Sequence, residues 1–95
     1  MLPKNRTPTH PGEILREDFL EPLGTTQVAF AAHLDIPLQR VNEIIRGKRG
    51  ISAATAWLFA GALGTTPQFW TNLQSQYDLA HERPARAVRR LPKTG

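Results

Sequence analysis

Polar side chains recur at helical spacing between Gln39 and Arg46. Gln39, Asn42, Glu43 and Arg46 stand at i, i+3, i+4 and i+7, and Arg40 flanks them, so they share one face of a predicted helix. Arginine can pair bidentately with guanine, glutamine and asparagine can pair with adenine, and glutamate can accept from the cytosine amino group. A merely solvated helix face has the same composition. The surrounding elements must therefore decide between the two interpretations.

Two short helices joined by a tight turn are predicted over residues 27–47. On the first helix Phe30, Ala31 and Leu34 form an apolar face, and Pro37 opens the second helix, where its missing N–H costs nothing. This arrangement is a helix-turn-helix, in which the second helix can enter the major groove of DNA. The second helix is expected to turn its apolar residues inward, at Leu38, Val41, Ile44 and Ile45.

The charge of the chain is segregated along its length. The net charge is +4, and the last 15 residues account for all of it, so residues 1–80 sum to zero. Residues 10–35 are acidic, with Glu13, Glu17, Asp18, Glu21 and Asp35 against Arg16. Cations then cluster at the second helix and just after it, which is what contacts with phosphate require. Those cations are Arg40, Arg46, Lys48 and Arg49.

The length of 95 residues predicts one domain. We expect a polar arm at 1–9, a helix-turn-helix domain at 10–80 and a basic, disordered tail at 81–95. The absence of cysteine suits a reducing cytosol, and the sequence has neither a membrane-spanning run nor a signal peptide. A cytoplasmic protein without membrane association is predicted.

Two further helices are predicted after the motif. The segment 53–63, AATAWLFAGAL, is apolar nearly all round, so it is buried on more than one side or exposes a patch that a partner covers. Thr66 caps the next helix, and Pro67 occupies its first position. Its aromatic residues suit either the core or a dimer contact. The predicted dimer or partner patch comprises Trp57, Leu58, Trp70 and Tyr77.

Three separated motifs carry a family resemblance that covers about residues 10–80. HPGEILREDFLEPLG at 10–24, RVNEIIRGKRGIS at 40–52 and ALGTTPQFWTNLQSQYDL at 62–79 resemble the HigA group of addiction-module antitoxins, which belong to the Xre/Cro-type helix-turn-helix regulators. The resemblance implies an all-α, compact five-helix Xre/Cro-like domain. It also implies that Gln27, which opens the first helix of the motif, contacts a phosphate at the groove edge.

We assign the residues of the motif to two roles in binding double-stranded operator DNA. Gln39, Arg40 and Glu43 are predicted to read bases. The others are predicted to contact phosphate or the groove edge, and they are Gln27, Asn42, Arg46, Lys48 and Arg49.

The resemblance implies two functions for one chain, repression of its own operon as a homodimer and neutralisation of a HigB-like ribonuclease toxin. RNA-binding toxins present positive charge, so the acidic first helix is the predicted toxin-facing surface. A stand-alone Xre-family regulator with no toxin partner is the alternative. The predicted toxin-facing residues are Glu13, Glu17, Asp18 and Glu21.

Enzymatic chemistry is not predicted. The three histidines, His10, His33 and His81, do not form a zinc-binding pattern, and the sequence has no nucleophile elbow and no phosphate-cradling loop. We therefore expect no catalytic residues, no metal and no cofactor.

Overall fold

The computed structural model describes residues 8–82 and 84–93, and these residues form five helices and no strand. The all-α, five-helix prediction is confirmed. The first helix, α1, joins an α-helical turn at Pro11–Ile14, a π-helical segment at Leu15–Leu20 and a last turn at Glu21–Leu23. The other four helices are α2 at Gln27–Leu34, α3 at Leu38–Ile45, α4 at Ala53–Leu63 and α5 at Pro67–His81.

Side-chain caps start four of the helices where the sequence places them. The Oγ atoms of Thr26, Ser52 and Thr66 accept from the amide three residues later, at 3.0, 3.2 and 3.1 Å. His10 caps α1 differently, because its Nδ1 accepts the N–H of Gly12 at 2.9 Å. These bonds satisfy amides that the first turn of a helix leaves without a partner.

The last turn of α1 contains a proline, which does not end the helix. The helix passes Pro22 and ends at Leu23, and Gly24 closes it in the left-handed conformation at φ 66°. The N–H of Glu21 donates to the carbonyl of Arg16, five residues back, in the wider π-helical spiral. A regular α-helix would press the ring of Pro22 against a carbonyl four residues back, so the wider spiral relieves that contact.

The core contains Phe59 of α4 and Trp70 of α5, whose side chains are completely buried. Trp70 is 0% exposed, and its Nε1–H donates to Oγ1 of Thr65 at 2.7 Å, so the buried indole keeps a hydrogen bond. The prediction of Trp70 as part of a partner patch is therefore wrong. Leu58 is half-buried and packs against the same core, whereas Trp57 is 67% exposed.

The start of α1 packs against the end of α3 at Gly12. A Cβ atom on Gly12 would lie 1.8 Å from the carbonyl oxygen of Ile44, so only glycine permits this approach. The contact sets the position of α3, together with the complete burial of Val41 and Ile44.

No helix within residues 8–82 and 84–93 is both long enough and apolar enough to span a membrane. Residues 1–7 of the predicted arm lie outside the described residues. After His81, the described part of the tail has no regular secondary structure.

Candidate nucleic-acid interface

The turn between α2 and α3 is short because Asp35 adopts the left-handed conformation, with φ 58° and ψ 46°. The N–H of Ile36 donates back to the carbonyl of Ala31 at 3.1 Å, which closes the end of α2. Pro37 is extended at φ −62° and ψ 140°, so α3 begins at Leu38. The two helices thereby adopt the predicted helix-turn-helix arrangement.

Four polar residues of α3 lie on one side of the helix, opposite the buried Val41 and Ile44, and they are Gln39, Asn42, Glu43 and Arg46. Gln39 and Arg46 are exposed, whereas Arg40 is half-buried. Asn42 and Glu43 are also half-buried, because each is hydrogen-bonded to a neighbouring element. Of the predicted base-reading residues, Gln39 and Glu43 are in contact and Arg40 flanks them, and their role remains a prediction.

A hydrogen bond joins the first turn of α2 to α3. Nδ2 of Asn42 donates to Oε1 of Gln27 at 3.3 Å. Gln27 keeps its amide nitrogen for another acceptor, and Asn42 keeps its carbonyl oxygen. The two predicted phosphate or edge residues thus form one unit, with each side chain orienting the other.

Glu43 is the centre of a second polar group on this face. Its Oε1 accepts from Nε of Arg49 at 2.9 Å, and its Oε2 accepts from Nε2 of Gln39 at 3.2 Å. The hydrogen bond from Arg49 is the largest cause that lowers the pKa of Glu43 below its ordinary value, and the bond from Gln39 acts in the same direction. Glu43, a predicted base-reading residue, and Arg49, a predicted phosphate residue, are therefore linked to each other.

The turn that follows α3 carries three predicted phosphate residues, and all of them are exposed. Gly47 is left-handed at φ 74°, and the N–H of Lys48 donates to the carbonyl of Glu43 at 2.8 Å. Oε1 of Gln74 accepts the N–H of Ile51 at 2.8 Å, which ties this loop to α5. The role of Gln74 was not predicted from the sequence, because no local pattern links it to Ile51, 23 residues earlier in the chain. The three exposed residues are Arg46, Lys48 and Arg49.

The prediction that Leu38 turns inward is wrong, because this side chain is 45% exposed. It is the first residue of α3, directly after the extended Pro37, and it lies beside the first turn of α2 instead of in the core. Leu38 lines a groove together with Val28, which is 62% exposed in the first turn of α2. The sequence signal for this exposure was the position of Leu38 directly after Pro37, at the start of the predicted helix.

The four predicted toxin-facing residues of α1 are exposed, and part of their charge is compensated. Arg16 bonds to Glu17 at 2.9 Å and to Glu21 at 3.5 Å. Glu13 lines a pocket with Arg46 and Gly47, so one end of the acidic helix borders the basic turn. The four residues are Glu13, Glu17, Asp18 and Glu21.

The remaining members of the predicted partner patch do not form one surface. Trp57 lines a pocket with Ala53 and Pro67, on the α4 and α5 side. Tyr77 is half-buried, edge-on to the ring of His10 at 4.8 Å between ring centroids and stacked on His81 at 4.1 Å. Within the part of the chain that the structure describes, no group of three or more histidine, aspartate or glutamate side chains could hold a metal ion.

Comparisons with known proteins agree with this geometry. The helix-turn-helix family model HTH_3 matches residues 17–70. Virulence-associated protein I of Dichelobacter nodosus is 47% identical over 77 residues, which is 80% of this chain and 71% of that protein. Antitoxin HigA-1 of Vibrio cholerae is 39% identical over 79 residues, covering 83% of this chain and 74% of that protein.

A solved structure extends the likeness to the tertiary level. The antitoxin HigA of Pseudomonas aeruginosa, in a structure with the higBA promoter, has a TM-score of 0.77 and 45% identity over 79% of this chain and 82% of that one. The family model matches more than half of the chain, and the relatives match most of it. The chain therefore belongs to the Xre-like helix-turn-helix family, in the group that contains the HigA antitoxins.

Proposed function

We propose that this protein is the antitoxin of a type II toxin-antitoxin module. It represses its own operon by sequence-specific binding to operator DNA, and it neutralises a HigB-like ribonuclease toxin by direct binding. Both activities take place in the cytoplasm. The observation that carries the proposal is the α2–α3 motif, whose polar face and basic turn lie on one side of a fold shared with a HigA antitoxin solved with promoter DNA.

Base recognition is assigned to the exposed face of α3. Gln39, Arg40 and Glu43 read base edges from the major groove, because amide, guanidinium and carboxylate groups match the donors and acceptors presented there. The hydrogen bond between Gln39 and Glu43 presets both side chains, which lowers the entropy lost on binding. Opening of the Glu43 to Arg49 ion pair releases Arg49 for phosphate.

Contacts with the DNA backbone flank that face on both sides. Gln27 at the start of α2 lies beside Asn42 in the middle of α3, and the basic turn follows the end of α3. Such contacts fix the register of the protein without carrying sequence information. The assigned residues are Gln27, Asn42, Arg46, Lys48 and Arg49.

The active form is a homodimer. Two copies with two-fold symmetry place two α3 helices in successive major grooves, about 34 to 36 Å apart, on a palindromic site. Trp57 is the most exposed aromatic side chain of α4 and α5, and a large exposed indole favours burial against a second copy.

The toxin contacts the acidic side of α1. Glu13, Glu17, Asp18 and Glu21 are exposed, and a single guanidinium compensates two of them. A ribonuclease that binds RNA presents positive charge, and complementary charge accelerates association and excludes wrong partners. A stand-alone regulator without a toxin is the alternative function, since the DNA interface does not depend on this surface.

Affinity purification from the natural host tests the two functions separately. The tagged protein is expected to retain a basic protein of about a hundred residues at equal stoichiometry, and the mixture is expected to lose RNA cleavage relative to the purified partner. A Glu17→Lys and Asp18→Lys double variant should release the partner, because like charges repel. It should leave DNA binding unchanged. Recovery of promoter DNA without a ribonuclease would support the stand-alone regulator.

A further inference from the structure

An apolar groove of about 540 Å³ opens between the first turns of α2 and α3, in the middle of the proposed DNA face. Val28 and Leu38 are its aliphatic members, 62% and 45% exposed. Both lie beside side chains already assigned to DNA. The complete lining is Thr26, Gln27, Val28, Leu38, Gln39 and Asn42.

The polar rim of the groove is already ordered. Gln27 and Asn42 are hydrogen-bonded to each other at 3.3 Å, and Gln39 is hydrogen-bonded to Glu43 at 3.2 Å. The aliphatic side chains between them have no such partner and leave apolar surface in water, which is unfavourable unless a ligand covers it. The groove therefore fits a ligand that offers an apolar group flanked by hydrogen-bonding groups.

A base pair viewed from the major groove has one such arrangement. The C5-methyl group of thymine is the apolar feature of that edge, and it lies next to the O4 acceptor of thymine and the N6 donor of adenine. An amide side chain such as that of Gln39 can bond the adenine edge, while an aliphatic side chain packs on the methyl group.

We infer that Leu38 and Val28 read the C5-methyl group of thymine in the operator, so that the groove selects T·A over C·G at one position of each half-site. The inference rests on the proposed DNA-binding function and adds residues that the polar pattern does not contain. Leu38 occupies the first position of α3 and Val28 the second position of α2. One methyl group can therefore contact both helices of the motif.

Replacement of thymidine by deoxyuridine tests this contact, because the two differ only in the methyl group. Duplexes are first selected from a randomised library with the full-length protein. Each thymidine of the selected site is then replaced in turn by deoxyuridine, and affinity is measured by fluorescence anisotropy. At one thymidine of each half-site we expect a loss of about three- to fivefold, the value for burial of one methyl group.

The protein variants assign that loss to the groove. Circular dichroism first verifies that Leu38→Ala and Val28→Ala are folded. In both variants, the ratio of the affinity for the thymidine duplex to that for the deoxyuridine duplex at that position should fall towards one. Leu23→Ala is the matched control, because Leu23 is an exposed leucine outside the groove lining, at 64% exposure, and it should keep the full ratio.

Three outcomes would overturn the inference, and they are distinguishable. Selection of no sequence would reject the proposed function together with the inference. A selected site that tolerates deoxyuridine at every position would reject the methyl contact and leave DNA binding intact. A methyl dependence that is equal in wild type and in both variants would assign the contact to other residues.

Discussion

Asn42 of α3 donates a hydrogen bond of 3.3 Å to Oε1 of Gln27, the first residue of α2. The two helices of the motif are thus joined by a polar contact on the face that we assign to DNA, in addition to the apolar contacts beneath. A rigid pair of this kind presents its free donor and acceptor in one fixed arrangement. Its contribution to DNA binding can be measured.

Removal of either side chain is expected to weaken operator binding. The loss of binding free energy in the double variant should be smaller than the sum of the losses in the two single variants. Gln27→Ala and Asn42→Ala each lose a contact and also misorient the other side chain. A double-mutant cycle on operator affinity should give a coupling of about 0.5 to 1.5 kcal/mol. Gln27→Ala combined with Lys48→Ala is the control, since no hydrogen bond joins them, and should be additive within about 0.5 kcal/mol. Additivity of the first pair would contradict a functional unit.

Two roles within the DNA interface should differ in their salt dependence. Lys48→Ala is expected to weaken binding to all duplexes alike and to reduce the salt slope by about one, because one phosphate contact is lost. Gln39→Ala should cost about 1 to 3 kcal/mol at one base pair and leave the slope unchanged. Anisotropy titrations at several salt concentrations, with selected and random duplexes, measure both quantities. The reverse pattern would exchange the two roles.

The packing of α1 on α3 should depend on Gly12. A Cβ atom there would lie 1.8 Å from the carbonyl oxygen of Ile44, so Gly12→Ala must displace one helix and should lower the free energy of unfolding by about 3 kcal/mol or more. Gly61→Ala is the matched control within α4, where a Cβ atom meets nothing within 4 Å. It should raise stability by about 0.5 to 1 kcal/mol. Urea unfolding of both variants checks these signs, and equal stability of Gly12→Ala and wild type would contradict the close approach.

Acid should destabilise the fold through His10. Desolvation by burial lowers the pKa of His10, against the charges of Asp78 and Glu13, and its Nδ1 must be unprotonated to accept the N–H of Gly12. The unfolded chain therefore binds the proton more readily. The stabilisation of the fold by unprotonated His10 is fully present above the unfolded-state pKa of about 6.5. It is lost as the pH falls from there through the folded-state pKa.

A variant that keeps the cap without the titrating ring isolates this effect. His10→Asn supplies a side-chain oxygen at the cap, so its melting temperature should fall less than that of wild type between about pH 7.5 and about pH 5.5. Thermal melts of both proteins in the same buffers give the comparison. An identical pH dependence would show that His10 does not contribute.

Substitutions at Trp57 and Leu58, which are adjacent in α4, should affect different properties, dimerisation at the first and folding stability at the second. Trp57→Gln is expected to weaken self-association and leave unfolding unchanged, because this indole is 67% exposed. Leu58→Glu should instead lower the free energy of unfolding by about 2 kcal/mol or more, since it places a charge against the core. Sedimentation velocity and urea unfolding measure the two properties. Unchanged self-association of Trp57→Gln would place the dimer contact elsewhere.

Local features of the sequence were sufficient to predict the five helices and the motif. Thr26, Ser52 and Thr66 each cap the helix that follows, and Asp35 takes the left-handed turn position. Capping bonds and turn conformations involve residues within a few positions of each other, so the one-dimensional pattern contains them. The grouping of Gln39, Asn42 and Glu43 on one face follows from helical periodicity for the same reason.

Contacts between distant segments were decided by the tertiary structure. The burial of Trp70, the exposure of Leu38 and the link from Gln74 to Ile51 depend on how helices pack, and periodicity alone cannot distinguish a side chain at a helix start from one on the inner face. The approach of Gly12 to Ile44 is likewise set by two elements about thirty residues apart. Local sequence patterns thus account for the helices and their polar faces, whereas packing decides which apolar residues form the core and which remain exposed.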